Sequence, residues 1–326
     1  MKINNKHANN EKIVNKDILF IVGPTAVGKT DIAIEIAQRF DTEIISADSM
    51  QIYRGFEIGS AKPTQSERER AAHHLIDICD PKEKFSVMQY QKLALDKIEE
   101  FREDWKLPIV CGGTGLYINS LIYNMDFSDV PENPQLRKEL EEEAVKYGNE
   151  QVHMRLEALN PELALKIHPN RLKRVIRAIE VLNNKEDGIQ DFENSKVRNE
   201  NINPIVVFLT RDREELYGRI EARVDVLIRR GLIDEVRSLL GDGLTRDDIS
   251  YKGIGYKEIG DYLQGDYDES RAIELLKRNT RRYAKRQITW FKAYDFAHVI
   301  NLSCVSNECA CEEISAIIRK SRFDDE

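Results

Sequence analysis

The sequence predicts an α/β protein with a parallel sheet, and three observations predict it. Short apolar runs at Ile18-Leu19-Phe20-Ile21-Val22, Glu43-Ile44-Ile45-Ser46-Ala47, Pro108-Ile109-Val110-Cys111 and Pro204-Ile205-Val206-Val207-Phe208-Leu209 read as strands buried on both faces. Amphipathic helical stretches follow several of them, as parallel crossovers require. The first run leads straight into Gly23-Pro24-Thr25-Ala26-Val27-Gly28-Lys29-Thr30, which fits G-x-x-x-x-G-K-[ST] at each fixed position.

That loop carries its own chemistry. Glycines let consecutive backbone N–H groups turn toward one anionic centre, and the helix that opens there adds its positive end. Lys29 supplies a mobile positive charge and Thr30 a hydroxyl suited to Mg²⁺. Ile32, Ala33 and Ile36 fall at helical spacing behind it, so a helix is expected over residues 31–39.

The second strand ends at Asp48-Ser49-Met50-Gln51-Ile52-Tyr53. Ligands of open α/β sheets sit beyond the carboxyl ends of the strands, so Asp48 is expected to face the crevice of the phosphate loop as a base. The same aspartate equally suits a cap on the turn after the strand. Ile58-Gly59-Ser60-Ala61-Lys62-Pro63 reads as a loop bringing one basic residue to that end of the sheet. His73 and His74 with Asp77 suggest a metal, but neighbours on a strand point to opposite faces, which favours structural hydrogen bonding.

Ser86 is a helix cap, and residues 88–101 form a helix with Leu93, Leu95, Ile98 and Phe101. The third strand runs into Gly112-Gly113-Thr114-Gly115-Leu116-Tyr117, a second strand–glycine–helix turn. From 126 to 203 the texture changes to charged helices broken at Pro131, Pro134, Pro161 and Pro169, an inserted all-helical subdomain. Its last helix, over residues 171–180, sets Leu172, Val175, Ile176 and Ile179 on one row, with Arg171, Lys173, Arg174 and Arg177 offered to a polyanion. Residues 183–203 read as a loose surface segment.

After the fourth strand, residues 213–230 are helical, with Arg219 and Arg223 beside an apolar stripe. Tyr251-Lys252-Gly253-Ile254-Gly255-Tyr256-Lys257 suits close backbone approach to a ligand. Residues 271–292 hold eight basic residues against the single Glu274. Lys277, Arg281 and Lys285, with Arg278, Arg282 and Arg286, form two basic rows, and Ile273, Leu276, Thr280, Tyr283, Gln287 and Trp290 a packing seam. Acidic partners are nearly absent within that helix, so its rows suit phosphates.

Whole-chain properties set the limits. The 326 residues, 41% of them hydrophobic, suffice for a large domain and a smaller one. The net charge of −8 discourages nucleic-acid binding as a sum, yet the local basic field on residues 271–292 outweighs it. Residues 1–16 are polar, a disordered tail without a signal-peptide core, and no run is long enough for a membrane span. A cytoplasmic protein is expected. The five cysteines are odd in number and irregularly spaced, arguing against a disulfide framework, and Cys304, Cys309 and Cys311 lack zinc-site spacing.

In order along the chain stand Gly-Pro-Thr-Ala-Val-Gly-Lys-Thr, Ile-Ser-Ala-Asp-Ser-Met-Gln-Ile-Tyr, Gly-Gly-Thr-Gly-Leu-Tyr, Ile-Gly-Tyr-Lys-Glu and Lys-Arg-Gln-Ile-Thr-Trp-Phe. Across roughly residues 18–292 the chain closely resembles the bacterial tRNA dimethylallyltransferases of the tRNA isopentenyltransferase family. The resemblance implies a P-loop NTPase-like core over 17–125 and 204–326 with a tRNA-contacting insertion at 126–203. It implies transfer of a dimethylallyl group from dimethylallyl diphosphate to N6 of adenine 37 beside the anticodon, with Mg²⁺ as cofactor and the base flipped into a channel.

Carried over residue by residue, Gly23 to Thr30 hold the diphosphate, Lys29 and Arg223 neutralise it, Thr30 lies near the metal, Asp48 takes the N6 proton and Thr114 holds the Asp48 site. Contacts to the tRNA anticodon stem-loop correspond to Asp48, Ser49, Met50, Gln51, Thr114, Arg137, Lys173, Arg174, Val175, Ile176, Arg177, Lys285, Arg286 and Gln287. Arg171 stands where the family usually has Asp, which alters one local tRNA contact. The acting unit is expected to be a monomer.

Two rival enzymes remain, an adenylate prenyltransferase using free nucleotides and a P-loop small-molecule kinase. The extended basic helix disfavours the first, since a mononucleotide needs no phosphate track. A non-catalytic RNA-binding module leaves the intact phosphate loop without a purpose.

Overall fold

The computed structural model describes residues 16–125, 130, 132–184 and 197–323. The expected N-terminal tail lies outside them except for residue 16, as does 185–196 of the expected surface segment. The chain divides into two compact units, one of 1–122 with 199–326 and one of Tyr123–Arg198.

The first unit is built on a parallel sheet. Its strands are β1 (Asp17–Val22), β2 (Ile44–Ala47), β3 (His73–His74), β4 (Ile109–Gly112), β5 (Asn203–Thr210) and β6 (His298–Asn301), in the order β3-β2-β4-β1-β5-β6. Every pairing is parallel, and β1 is central, pairing with β4 through Val22↔Gly112 and with β5 through Val22↔Phe208. The four expected strands are present, and β6 at the edge had no clear apolar run to announce it: Val299 is exposed and only Ile300 is buried. Residues 18–22 are fully buried, which is why that run is continuously apolar.

The helices of this unit are α1 (Lys29–Arg39), α2 (Gln65–Arg70), α3 (Val87–Glu103) and α4 (Gly115–Ile122). After the insertion helices α5 (Pro134–Tyr147), α6 (Asn149–Leu159), α7 (Pro161–Lys166) and α8 (Leu172–Asn184), the unit continues with α9 (Arg213–Arg229), α10 (Leu232–Gly241), α11 (Tyr256–Leu263), α12 (Glu269–Phe291) and α13 (Asn307–Phe323). Ser86 caps α3 as expected, accepting from the Gln89 N–H in a reciprocal capping box. One apolar cluster joins β1, α1 and α13, and a second gathers α9, α10, α11 and α12 around Tyr53, Phe56 and Tyr256.

The second unit has its own core. Leu140, Val152, Leu156, Val175, Ile176 and Ile179 interlock from α5, α6 and α8. Glu180 is fully buried there, bound by Arg137 Nε and Nη2, each at 2.7 Å, by the Asn133 N–H at 2.9 Å and by Arg177 at 3.3 Å. A buried carboxylate so surrounded keeps its charge, and its pKa is lowered by these partners against the cost of burial. The stretch 199–203, expected within the insertion, lies with the first unit, because Asn203 opens β5.

Candidate active site

Three loops leave the carboxyl edge of the sheet side by side: the phosphate loop after β1, the Asp48 turn after β2 and the Gly113 turn after β4. The first two, with Cys111 and Gly112 at the end of β4, line one cavity of about 560 Å³ that takes in Thr25, Gly28, Lys29, Thr30, Asp48, Gln51, Arg223, Tyr283 and Gln287. The glycine cradle and the carboxylate therefore share a site.

The cradle is held by contacts within the chain. Gly28 caps α1 at φ +110°, and Ala26 is held left-handed at φ +64°, a conformation a non-glycine residue keeps only when its surroundings impose it. Two arginines after β5 supply that restraint: Arg211 Nε donates to the Val27 carbonyl at 2.9 Å and Arg219 Nε to that of Ala26 at 2.9 Å. With the carbonyls tied outward, the orphan N–H groups of the first turn of α1 remain for an anion.

Lys29 folds back on the loop, donating to the carbonyls of Gly23 at 3.0 Å and Pro24 at 2.8 Å. Burial lowers its pKa to about 8, against the raising influence of Cys111 and Asp48. Arg223 has no ion-pair partner among the described residues; burial lowers its pKa, with Asp48 pulling the other way. Asp48 Oδ1 accepts from the N–H groups of Met50 at 2.8 Å and Gln51 at 3.3 Å, so the capping role anticipated for it is real. That cap occupies one oxygen. Oδ2 has no hydrogen-bond partner among the described residues, and the carboxylate still lines the cavity. Thr114 Oγ1 accepts from the Ser49 N–H at 3.0 Å, tying the β4 loop to the Asp48 turn.

Several residues sit differently from the expectation. Gln287 is 5% exposed and spends its amide on the Thr25 N–H and the Gly113 carbonyl. Val175 and Ile176 are core residues of the insertion, and Arg137 is committed to Glu180 and Glu132. Lys173 and Arg174 are exposed. Lys62 lines the cavity but is 4% exposed and bound to Asp77, Glu57 and the Tyr53 carbonyl, a structural ion network. His74 bonds Glu43 at 2.6 Å and His73 the Ala71 carbonyl at 2.8 Å, so the pair is structural.

Gly253 serves packing, and Gly255 supplies the left-handed φ of +99° at the start of α11. A Cβ on Gly253 meets Met50 Cε at 2.3 Å, and the Tyr251 and Tyr256 hydroxyls bond Asp261 and Glu235. On α12, Lys277 and Arg281 meet Asp225 and Glu221 of α9, each at 2.6 Å, acidic partners that a search within the helix misses. Lys285 and Arg286 remain exposed. Trp290, expected on the packing seam, is 38% exposed, and Phe291 takes the buried place. Tyr283 is a cavity residue the sequence did not offer as functional: burial and the charge of Asp48 raise its phenol pKa.

The site's donors fit Mg²⁺. Thr30 and Asp31 offer hard oxygens in the cavity wall. Hard oxygens of this kind are the donors Mg²⁺ takes.

Comparison with known proteins agrees with the geometry. The family model described as IPP transferase matches residues 51–294. A protein of Alkaliphilus oremlandii named tRNA dimethylallyltransferase is 53% identical over 307 residues, covering 94% of this chain and 97% of its own. A crystal structure titled tRNA isopentenylpyrophosphate transferase, from Bacillus halodurans, aligns with TM-score 0.71 at 41% identity, over 96% of this chain and all of the other. A eukaryotic dimethylallyltransferase described as acting on tRNA gives TM-score 0.77 at 26% identity, over 95% of this chain and 80% of its own. By the extent of these matches, this chain belongs to the IPP transferase family, alongside the tRNA dimethylallyltransferases.

Proposed function

We propose that this chain transfers the dimethylallyl group of dimethylallyl diphosphate to N6 of adenine 37 of tRNA, releasing diphosphate. The observation that carries the reading is the convergence of Lys29, Thr30, Asp48 and Arg223 on one cavity at the carboxyl edge of the sheet. A phosphate cradle facing a carboxylate suits a reaction with an anionic leaving group at one end and a proton to remove at the other.

The cradle N–H groups, Lys29 and Arg223 stabilise charge on the departing diphosphate as the C1–O bond breaks. The N6 nitrogen attacks C1, and its proton passes to Asp48 Oδ2 while the cap on Oδ1 holds the carboxylate in place. Thr114 fixes the Asp48 turn through Ser49, and Tyr283 completes the wall beside it. Mg²⁺, when bound, is held by Thr30 and supplies further charge neutralisation on the diphosphate. Stacking in the anticodon loop shields the target adenine, so it enters the cavity flipped out of that stack.

Lys285 and Arg286 on α12 and Lys173 and Arg174 on α8 are the cations we assign to tRNA phosphates. We take the monomer as the acting unit and the cytoplasm as its place of action. Among the described residues no helix is long and apolar enough to cross a membrane. The test is incubation of the purified protein with dimethylallyl diphosphate, Mg²⁺ and an unmodified anticodon stem-loop, followed by mass analysis of nucleosides. Adenosine heavier by one prenyl group is expected at one position. Prenylation of AMP but not of the stem-loop would refute the assignment.

A further inference from the structure

Gln287 lies on α12 immediately after Lys285 and Arg286, yet it does not share their exposure. Its side chain is buried beneath the cavity and joins two loops: Oε1 accepts from the Thr25 N–H at 2.8 Å, and Nε2 donates to the Gly113 carbonyl at 2.9 Å. The loops need such a tie. The ladder between β1 and β4 ends at Val22↔Gly112, so Gly23 and Gly113 have left the sheet and no strand pairing holds them together. The fit is close, since a Cβ on Gly113 stands 2.2 Å from Gln287 Nε2 and 3.5 Å from the Gly23 carbonyl.

A buried amide with both ends satisfied is a specific fastening, because breaking either bond leaves a polar group without water or partner. Thr25 begins the curve of the cradle, two residues after Gly23, whose carbonyl holds Lys29. Fixing the Thr25 N–H therefore fixes where the curve starts. On the other side, Gly113 precedes Thr114, the residue that ties down the Asp48 turn. One side chain thus sets the spacing between the place that receives the leaving group and the place that holds the proton acceptor.

We propose that Gln287 is a positioning residue that holds the phosphate cradle in register with the Gly113–Thr114 turn, and not a direct contact to nucleic acid. Both ends of its amide are already engaged by the two loops, even though the residue borders the cavity. The inference takes its ligand, a diphosphate, from the prenyl-transfer reading.

The test uses the full chain and two probes, inorganic diphosphate with Mg²⁺ by calorimetry and a labelled anticodon stem-loop by anisotropy. Gln287→Met keeps the length and removes both hydrogen bonds. Its diphosphate affinity is expected to fall roughly tenfold, the cost of one to two net hydrogen bonds, with stem-loop affinity unchanged within about twofold. Gly113→Ala drives the amide away and is expected to reproduce the loss. Added to Gln287→Ala, which vacates the space, it costs little further, a non-additivity that general destabilisation does not produce.

In prenyl transfer, KM for dimethylallyl diphosphate rises in Gln287→Met while KM for the stem-loop holds. Weakened stem-loop binding with normal diphosphate binding overturns the proposal, as do equal losses of both or no change in either. If the unaltered protein binds diphosphate but transfers no prenyl group, the functional reading fails and the positioning role is still decided by the diphosphate measurements.

Discussion

Lys29 and Asp48 are the two residues whose ionisation the proposed chemistry uses, and the structure fixes each by hydrogen bonds to the backbone. Lys29, with its pKa near 8, is charged below that pH and progressively neutral above it. An anionic diphosphate raises that pKa, so binding above about pH 8 takes up a proton and affinity falls as pH rises, up to tenfold per unit, whereas binding below pH 8 takes up none at Lys29. Calorimetry of a prenyl diphosphate in buffers of different ionisation enthalpy measures the uptake, and Lys29→Met is expected to abolish the alkaline part. Asp48→Asn keeps an acceptor for the Met50 and Gln51 N–H groups but loses the base. Its turnover is expected to drop by roughly 10²–10⁴ with stem-loop affinity nearly intact; full turnover in the variant would remove Asp48 from the reaction.

Helix α12 is amphipathic in charge as well as in hydrophobicity. Ala272, Leu276, Ala284, Gln287 and Phe291 are buried. Lys277 and Arg281 pair with α9, and Lys285 and Arg286 face solvent. The paired cations are already neutralised, so the solvent-facing pair should carry the RNA attraction. Lys285→Ala with Arg286→Ala is expected to weaken stem-loop binding and to lower the salt slope by roughly 0.7–0.9 for each phosphate the helix no longer neutralises. Lys277→Ala is expected to change the slope less, and equal slopes in the two variants would contradict this division of the helix. The basic rows were legible from periodicity, but their division was not, because Asp225 and Glu221 come from a helix more than fifty residues earlier. The insertion shows the same limit: Arg137 looks available in sequence and is spent on a glutamate forty-three residues away.

For the whole molecule, the proposed diphosphate site lies in the unit of the parallel sheet, while part of the proposed RNA contact lies in the unit Tyr123–Arg198. Hydrogen exchange separates them. Diphosphate with Mg²⁺ is expected to slow exchange in the loops after β1, β2 and β4 and to leave residues 123–198 unchanged; the stem-loop is expected to slow exchange in α8 and α12 as well. Slowed exchange in α8 with diphosphate alone would place the anion elsewhere. The parallel sheet, the glycine cradle and the aspartate turn at 48 were determined by the sequence itself. Buried parallel strands must be apolar throughout, and an anion cradle must carry glycines at fixed local spacing, so both leave a contiguous signature. Only the tertiary structure decided that Gln287 faces the cradle, that Arg211 and Arg219 brace it, that Glu180 claims Arg137 and that Gly253 admits the Met50 side chain. Each of those outcomes is a choice among distant partners of matching charge or shape, and which partner arrives is set by how the chain closes on itself.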